Sequence, residues 1–287
     1  MIDFSVIDEK IRTLIKRDHL PNVSVCVKGP EGTVFEKGYG SRNAQQNQDV
    51  DCDTVFGIAS MSKSITALAI SILACEGKLS WDDPVTDYFP SFSVPGAPKD
   101  LVTLRLLARH MAGIPPMEPL EWSIAMNSKD RDGAWAQAMR ASSPNQMDTI
   151  DQIISYIASC PYPTVGAPGE NMSYSNEGYA VLSYVVDQVA GIPLEQFCLE
   201  RIFQPLGMTR TLMDVDCVSA HEMAGENIVS LFEYEDGKLL CDDSWSILPP
   251  FRGCAMVKST SRDMAEYYRC LSNDGRIGDR QVLPREA

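Results

Sequence analysis

The stretch VFGIASMSKSITALAIS, residues 55–71, sets Ser60 and Lys63 three positions apart at the head of an otherwise apolar helix. Residues three apart share one helix face. Phe56, Ile58, Ala59, Ile65, Leu68, Ala69 and Ile70 make this helix apolar nearly all round, so Lys63 is expected to be at least partly buried. A buried lysine must find partners or lose its proton.

Working outward, the N-terminal side reads as a surface helix over residues 3–17 lying on a core, with Phe4, Ile7, Ile11, Leu14 and Ile15 at helical spacing. A hairpin follows, with Val23, Val25 and Val27 on one face and a turn at Gly29-Pro30-Glu31-Gly32. Downstream, the helix headed by Ser60 ends near Gly77, and a short helix at 103–110 stops before Gly113. Residues 117–147 have weak periodicity and many Met, Ser, Asn and Asp, the pattern of a mobile lid or an insertion over a site. The segments TIDQIISYIASC and YAVLSYVVDQVAG carry apolar stripes at helical spacing, the second ending on Gly191 as a C-cap. Beyond residue 215 a hairpin is expected to turn at Asp236-Gly237, followed by a helix around 261–273.

Composition bounds the function. With 287 residues, 44% apolar and 22% charged, the chain can bury a sizeable core. A formal charge of -14 disfavours nucleic acid and anionic membranes as partners, which leaves a small molecule. No charge-free apolar run approaches the ~20 residues of a bilayer span. Nine cysteines without CxxC pairing suggest thiols in a reducing compartment, and the first twenty residues show no secretory pattern, so a cytoplasmic location is expected. His221-Glu222 opens like a zinc motif but meets Gly225 where the second histidine would stand, and no metal or cofactor is called for. His110 reads as a structural side chain at a helix end, and His19 as solvated. The methionines at 111, 117, 126, 139, 147 and 172 could line an acyl pocket, though core packing is the commoner use of such residues.

A serine hydroxyl beside a neutral lysine can attack a carbonyl, because the amine accepts its proton. Ser60 at a helix start also gains from unpaired backbone N–H groups, one of which can form half of an oxyanion hole. Tyr174-Ser175-Asn176 follows a loop shaped by Gly166, Pro168 and Gly169, and offers a phenol for proton transfer and an amide to orient a substrate carbonyl or the lysine.

Together these residues resemble the serine β-lactamase and DD-peptidase superfamily, most closely its branch of class C β-lactamases, D-aminopeptidases and esterases, in which S-x-x-K is followed by Y-x-N. DDPVTDYFPSF, LRLLARHMAGIP, APGENMSYSNEGYAVLSYVVDQVAG, RIFQPLGMTRT and GCAMVKSTSRDMAEYY look like landmarks of that family in their expected order. The resemblance implies an α/β, β-lactamase-like fold: an antiparallel sheet flanked by helices, plus a mainly helical subdomain. Residues 1–56 and 215–287 would form a discontinuous α/β part, and 57–214 the helical part bearing Ser60, Lys63 and Tyr174. It implies Ser60 as the nucleophile of an acyl-enzyme, Lys63 and Tyr174 as a coupled proton-transfer unit with the general base left open between them, and Asn176 as a substrate-binding amide.

The family's third motif, a K/H-x-G tripeptide on a strand near the C-terminus, does not occur here. Lys258-Ser259-Thr260 lacks the glycine and His110-Met111-Ala112-Gly113 has the wrong spacing. The usual C-terminal strands are therefore expected to be absent, with an open sheet edge that pairs with a second copy or with a missing partner segment. The expected activity is hydrolysis of a small ester or amide. A non-catalytic or truncated binding protein of the same fold, or a transacylase, is the alternative.

Overall fold

In the computed structural model the described residues are 4–287 apart from 44, 46, 128–132, 144–146, 217, 236, 243, 244 and 246. The apolar run after Ser60 becomes helix α2, and its packing organises the chain. Numbered along the sequence, the elements before it are α1 (Phe4–Asp18), β1 (Asn22–Gly29), β2 (Gly32–Gly40) and β3 (Phe56–Gly57), with α2 spanning Ser62–Cys75. Next come α3 (Leu104–Ala108), α4 (Pro119–Asn127), α5 (Ala134–Ser142), α6 (Ile150–Ala158), α7 (Asn176–Ala190) and α8 (Leu194–Cys198). A π-turn then leads to α9 (Gln204–Leu206), β4 (Leu212–Met213) and α10 (Ser219–Ala224). The chain continues through β5 (Leu231–Glu235), β6 (Lys238–Asp242), α11 (Arg252–Ala255), β7 (Val257–Ser259), α12 (Ser261–Leu271), β8 (Arg276–Ile277) and β9 (Arg280–Gln281).

Helices α2 and α7 form the centre. Ile65, Ala69, Ile70 and Leu73 of α2 are buried with Ala180, Val181, Leu182, Val185 and Val186 of α7, and Phe92, Leu104, Phe203, Phe251 and Tyr267 close the same core. Removing each of the Val, Leu, Ile and Phe side chains among these from water stabilises the fold by ~1.5–3 kcal/mol. Ser175 caps α7 by accepting the Gly178 N–H at 3.0 Å, and Gly191 ends it in the left-handed conformation at φ 72°. Thr149 and Gln152 form a capping box on α6.

The strands form small antiparallel groups. β1 pairs with β2 in a register that brings Gly29 opposite Gly32, so Pro30 and Glu31 make the turn, with a bulge at Val27/Lys28. β7 lies between β3 and β4. β1 has β2 as its only strand partner among the described residues, and an apolar groove of about 350 Å³ beside it is lined by Val25, Phe56, Ile58, Met61, Met264 and Tyr268.

Two expectations need correction. Helix α1 buries none of its residues; it leans on β2 through stacked Phe4 and Phe35 rings and through Asp8, which accepts from Lys37 Nζ and Tyr39 OH. A hairpin surface offers it only part of a core to lie on. The segment 117–147, of weak periodicity in the sequence, is nonetheless helical in its described parts: α4 and α5 pack together with Trp122, Ala125 and Ala136 buried, and Arg140 Nη1 donates to Ala125 O. Its residues 128–132 and 144–146 lie outside the description. Finally, α2 starts at Ser62, because residues Ala59–Met61 form a tighter 3₁₀ turn ahead of it. The C-terminal hairpin forms as β5–β6, although Asp236 of its turn is outside the described residues.

Candidate active site

Ser60 is held in its 3₁₀ turn from both sides. Ile58 N–H donates to Val257 O at 3.0 Å, and Val257 N–H donates to Ser62 Oγ at 3.1 Å, so β7 clamps the start of α2. Ala59, just before the serine, has φ 45°, a left-handed conformation that costs a non-glycine residue about 1 kcal/mol or more. The result presents Ser60 on the surface at the mouth of a buried helix.

Lys63 is 5% exposed, and it resolves its burial by finding partners. Its Nζ donates to Ser60 Oγ at 3.1 Å, Asn176 Oδ1 at 2.9 Å and Cys254 O at 3.1 Å, one acceptor for each hydrogen of an ammonium. The same nitrogen lies 4.8 Å from the ring centroid of Tyr174 and 5.6 Å from that of Tyr179. Three separate elements therefore meet at one amine: α2, the head of α7, and α11.

The α11 contact depends on a close approach. A Cβ at Gly253 would stand 2.6 Å from Ser183 Cβ and 3.0 Å from Thr66 Oγ1, so only glycine lets this turn reach α2 and α7. Thr66 Oγ1 donates to Gly253 O, and Arg252 is clamped to Asp187 with its guanidinium over the Tyr184 ring. Burial pushes the Cys254 thiol up to about 12, which keeps it protonated and removes it as a competing nucleophile.

Tyr174 OH donates to Ser60 Oγ at 2.7 Å, and its side chain is 44% exposed. Its loop is splinted by the segment after α3: Gly169 N–H donates to Met111 O at 2.8 Å and Ser173 N–H to His110 O at 2.7 Å. Burial raises the carboxyl of Glu177, in the first turn of α7, to about 7, against the opposing pull of its own backbone N–H and the Ser175 hydroxyl.

All four residues singled out from the sequence, Ser60, Lys63, Tyr174 and Asn176, thus converge on one point. Sequence reading passed over two contributors. The Cys254 carbonyl is a backbone atom and carries no sequence signal. His110, read as structural, packs on the Tyr174 ring with centroids 4.4 Å apart. Lys258, which the sequence reading rejects as a third motif, is buried with its Nζ 4.7 Å from the Trp245 ring centroid and 3.9 Å from Asp214 Oδ2. Met117 and Met139 pack against the core and Met147 lies in it, whereas Met172 is exposed. Among the described residues no cluster of histidine, cysteine, aspartate or glutamate could hold a metal ion, and no helix is long and apolar enough to cross a membrane.

The chain is similar to several known proteins. A family model described as Beta-lactamase matches residues 7–287. "Penicillin-binding protein 4*" of Bacillus subtilis (strain 168) is 28% identical over 193 residues, which are 67% of this chain and 38% of that protein. A "Putative D-alanyl-D-alanine carboxypeptidase" of Escherichia coli (strain K12) is 25% identical over 296 residues, covering 93% of this chain and 63% of its own length. Of solved structures, the octameric penicillin-binding protein homologue from Pyrococcus abyssi superposes with a TM-score of 0.78 at 24% identity, covering 99% of this chain and 59% of that one. A class C beta-lactamase superposes with a TM-score of 0.72 at 20% identity over 97% of this chain and 67% of its own. The chain thus spans between about two fifths and two thirds of the length of these relatives.

Proposed function

We propose, from the premise that this chain belongs to the beta-lactamase family and has its α/β fold, that it is a serine hydrolase acting on an ester or amide through an acyl-enzyme at Ser60. Members of this superfamily are serine hydrolases. The observation that carries the reading is the placement of Ser60 Oγ between Lys63 Nζ and Tyr174 OH, at 3.1 Å and 2.7 Å.

In this reading one member of the Lys63–Tyr174 pair is deprotonated when substrate is bound, and Ser60 Oγ bonds to the substrate carbonyl carbon while its proton passes to that member. Charge develops on the carbonyl oxygen, and a backbone N–H at the start of the helical turn supplies half of the oxyanion hole that stabilises it. The bond to the leaving alcohol or amine breaks, and Tyr174 returns the proton to it. Water then attacks the acyl-enzyme by the reverse sequence, freeing the acid and restoring Ser60. Asn176, whose Oδ1 already accepts from Lys63, fixes the amine and offers its N–H₂ to the substrate carbonyl.

The names of the relatives point to peptide amides and penicillins, and the acidic, cysteine-containing chain points to a small cytoplasmic ester or amide; we favour the latter. The test is intact mass after incubation with a fluorophosphonate and, separately, a penicillin. One adduct on the wild-type protein that is absent from Ser60→Ala is expected. A well-folded protein that takes no adduct would overturn the hydrolase reading in favour of a binding protein of the same fold.

A further inference from the structure

His110 occupies a backbone conformation suited to glycine, φ 58°, between α3 and the segment that splints the Tyr174 loop. An imidazole at this position brackets Tyr174 on both sides. Its backbone oxygen accepts the Ser173 N–H at 2.7 Å, and its Nδ1 accepts the Ser175 N–H at 3.1 Å. Between those two bonds the ring lies on the Tyr174 phenol at 4.4 Å and 31°, and it meets Tyr179 at 5.3 Å and 43°. Tyr179 is itself anchored, its OH donating to Ala108 O at 3.0 Å. A phenol that is nearly half exposed is thereby fixed in direction, although it stands on a loop.

The role of Nδ1 as an acceptor defines the protonation state. Only the neutral imidazole with its hydrogen on Nε2 can receive the Ser175 N–H. An imidazolium carries a hydrogen on Nδ1, so two donors would face each other and the bond would be lost. The charged and titratable groups around the ring are Lys63 from α2, Tyr174 from the loop, Tyr179 and the buried Glu177 from the start of α7, and exposed Arg109 beside it in the chain.

We propose that His110 is the positioning residue for Tyr174: its neutral imidazole holds the phenol against Ser60, and the site disengages when Nδ1 takes a proton. This rests on the reading of Ser60 as the nucleophile. Burial of the ring, and secondarily the nearby Lys63 charge, hold the His110 pKa below the ordinary histidine value, so the working state persists through neutral pH.

Two measurements on the full chain test it. In ¹⁵N spectra the three histidines are separated by the His110→Asn variant. His110 should show the Nε2–H tautomer at pH 7 and titrate below the usual histidine range, with the Ser175 amide shift following the same curve. A hydrogen on Nδ1 in the neutral form, or a Ser175 amide indifferent to that titration, would overturn the proposal. The second measurement is the rate of fluorophosphonate labelling of Ser60 against pH. His110→Ala should label about tenfold more slowly at pH 8, because the phenol is no longer held in place. His110→Asn, whose Oδ1 keeps an acceptor for Ser175 N–H and whose backbone tolerates positive φ, should recover most of that rate and lose the acid limb seen in the wild type. The same acid limb in His110→Asn would sink the idea. If the wild type is unlabelled at every pH, the reading of Ser60 falls, whereas the spectra still decide the bond to Ser175.

Discussion

The two halves of the proposed proton-transfer pair are held in opposite ways. Lys63 rises from α2, whose Ile65, Ala69, Ile70 and Leu73 are buried, and three acceptors close around its amine. Tyr174 stands on a loop, is 44% exposed, and donates its hydroxyl hydrogen to Ser60 Oγ. Packing fixes the lysine; backbone hydrogen bonds and a stacked imidazole fix the tyrosine. Such a division keeps one partner dry while the other faces solvent. It also means that the two should fail differently when altered.

The largest contrast is expected from Lys63→Met. Labelling of Ser60 should fall by on the order of 10³-fold, within the range of a lost proton-transfer group. The loss should come with a lowered melting temperature, since Asn176 Oδ1 and Cys254 O lose a buried donor. A variant that labels at the wild-type rate would break the assignment of the lysine.

Glu177 lies at the seam between the two regions and gives a pH test. Its carboxyl is raised from 4.5 to about 7 by burial, so the folded protein binds a proton that the unfolded chain has released. The stability this contributes is complete below the unfolded value and is lost as pH rises through about 7. Glu177→Gln should therefore stabilise the protein at pH 8 relative to pH 5, by about 3 kcal/mol at most. Denaturation midpoints at the two pH values measure it, and an equal effect at both would refute the shift. His110 acts in the opposite direction: its lowered pKa makes stability rise with pH through the ordinary histidine value near 6.5.

Tyr174→Phe sharpens the comparison most finely. It removes the hydroxyl but keeps the ring on His110, so labelling should slow by about 10²-fold with little change in melting temperature. A large loss of stability would show that the exposed tyrosine is structural after all, and that the two regions are held alike.

Much of this was readable in advance because it depends on neighbours in sequence. The apolar character of α2, the two-residue turn after Gly29 and the Gly191 cap follow from side-chain type and local backbone preference. The helices within 117–147 were not readable. Their apolar residues are too few to give a clear period, and α4 and α5 are stabilised by packing on each other, through Trp122, Ala125 and Ala136. His110 was passed over for a related reason: its partners, Ser175 and Tyr174, lie more than sixty positions away in the chain.

The sequence by itself determined that a serine and a lysine stand three positions apart at the head of an apolar helical run, and that a tyrosine and an asparagine follow a glycine-rich loop. Those are facts of spacing and hydrophobic pattern, which a helix converts directly into geometry. Only the tertiary structure decided which atoms satisfy the lysine, because one acceptor is a backbone carbonyl brought in by α11 over Gly253, and which group steadies the tyrosine. A hydrogen bond is set by distance and direction in space, and residues far apart in the chain acquire those only when the core between them closes.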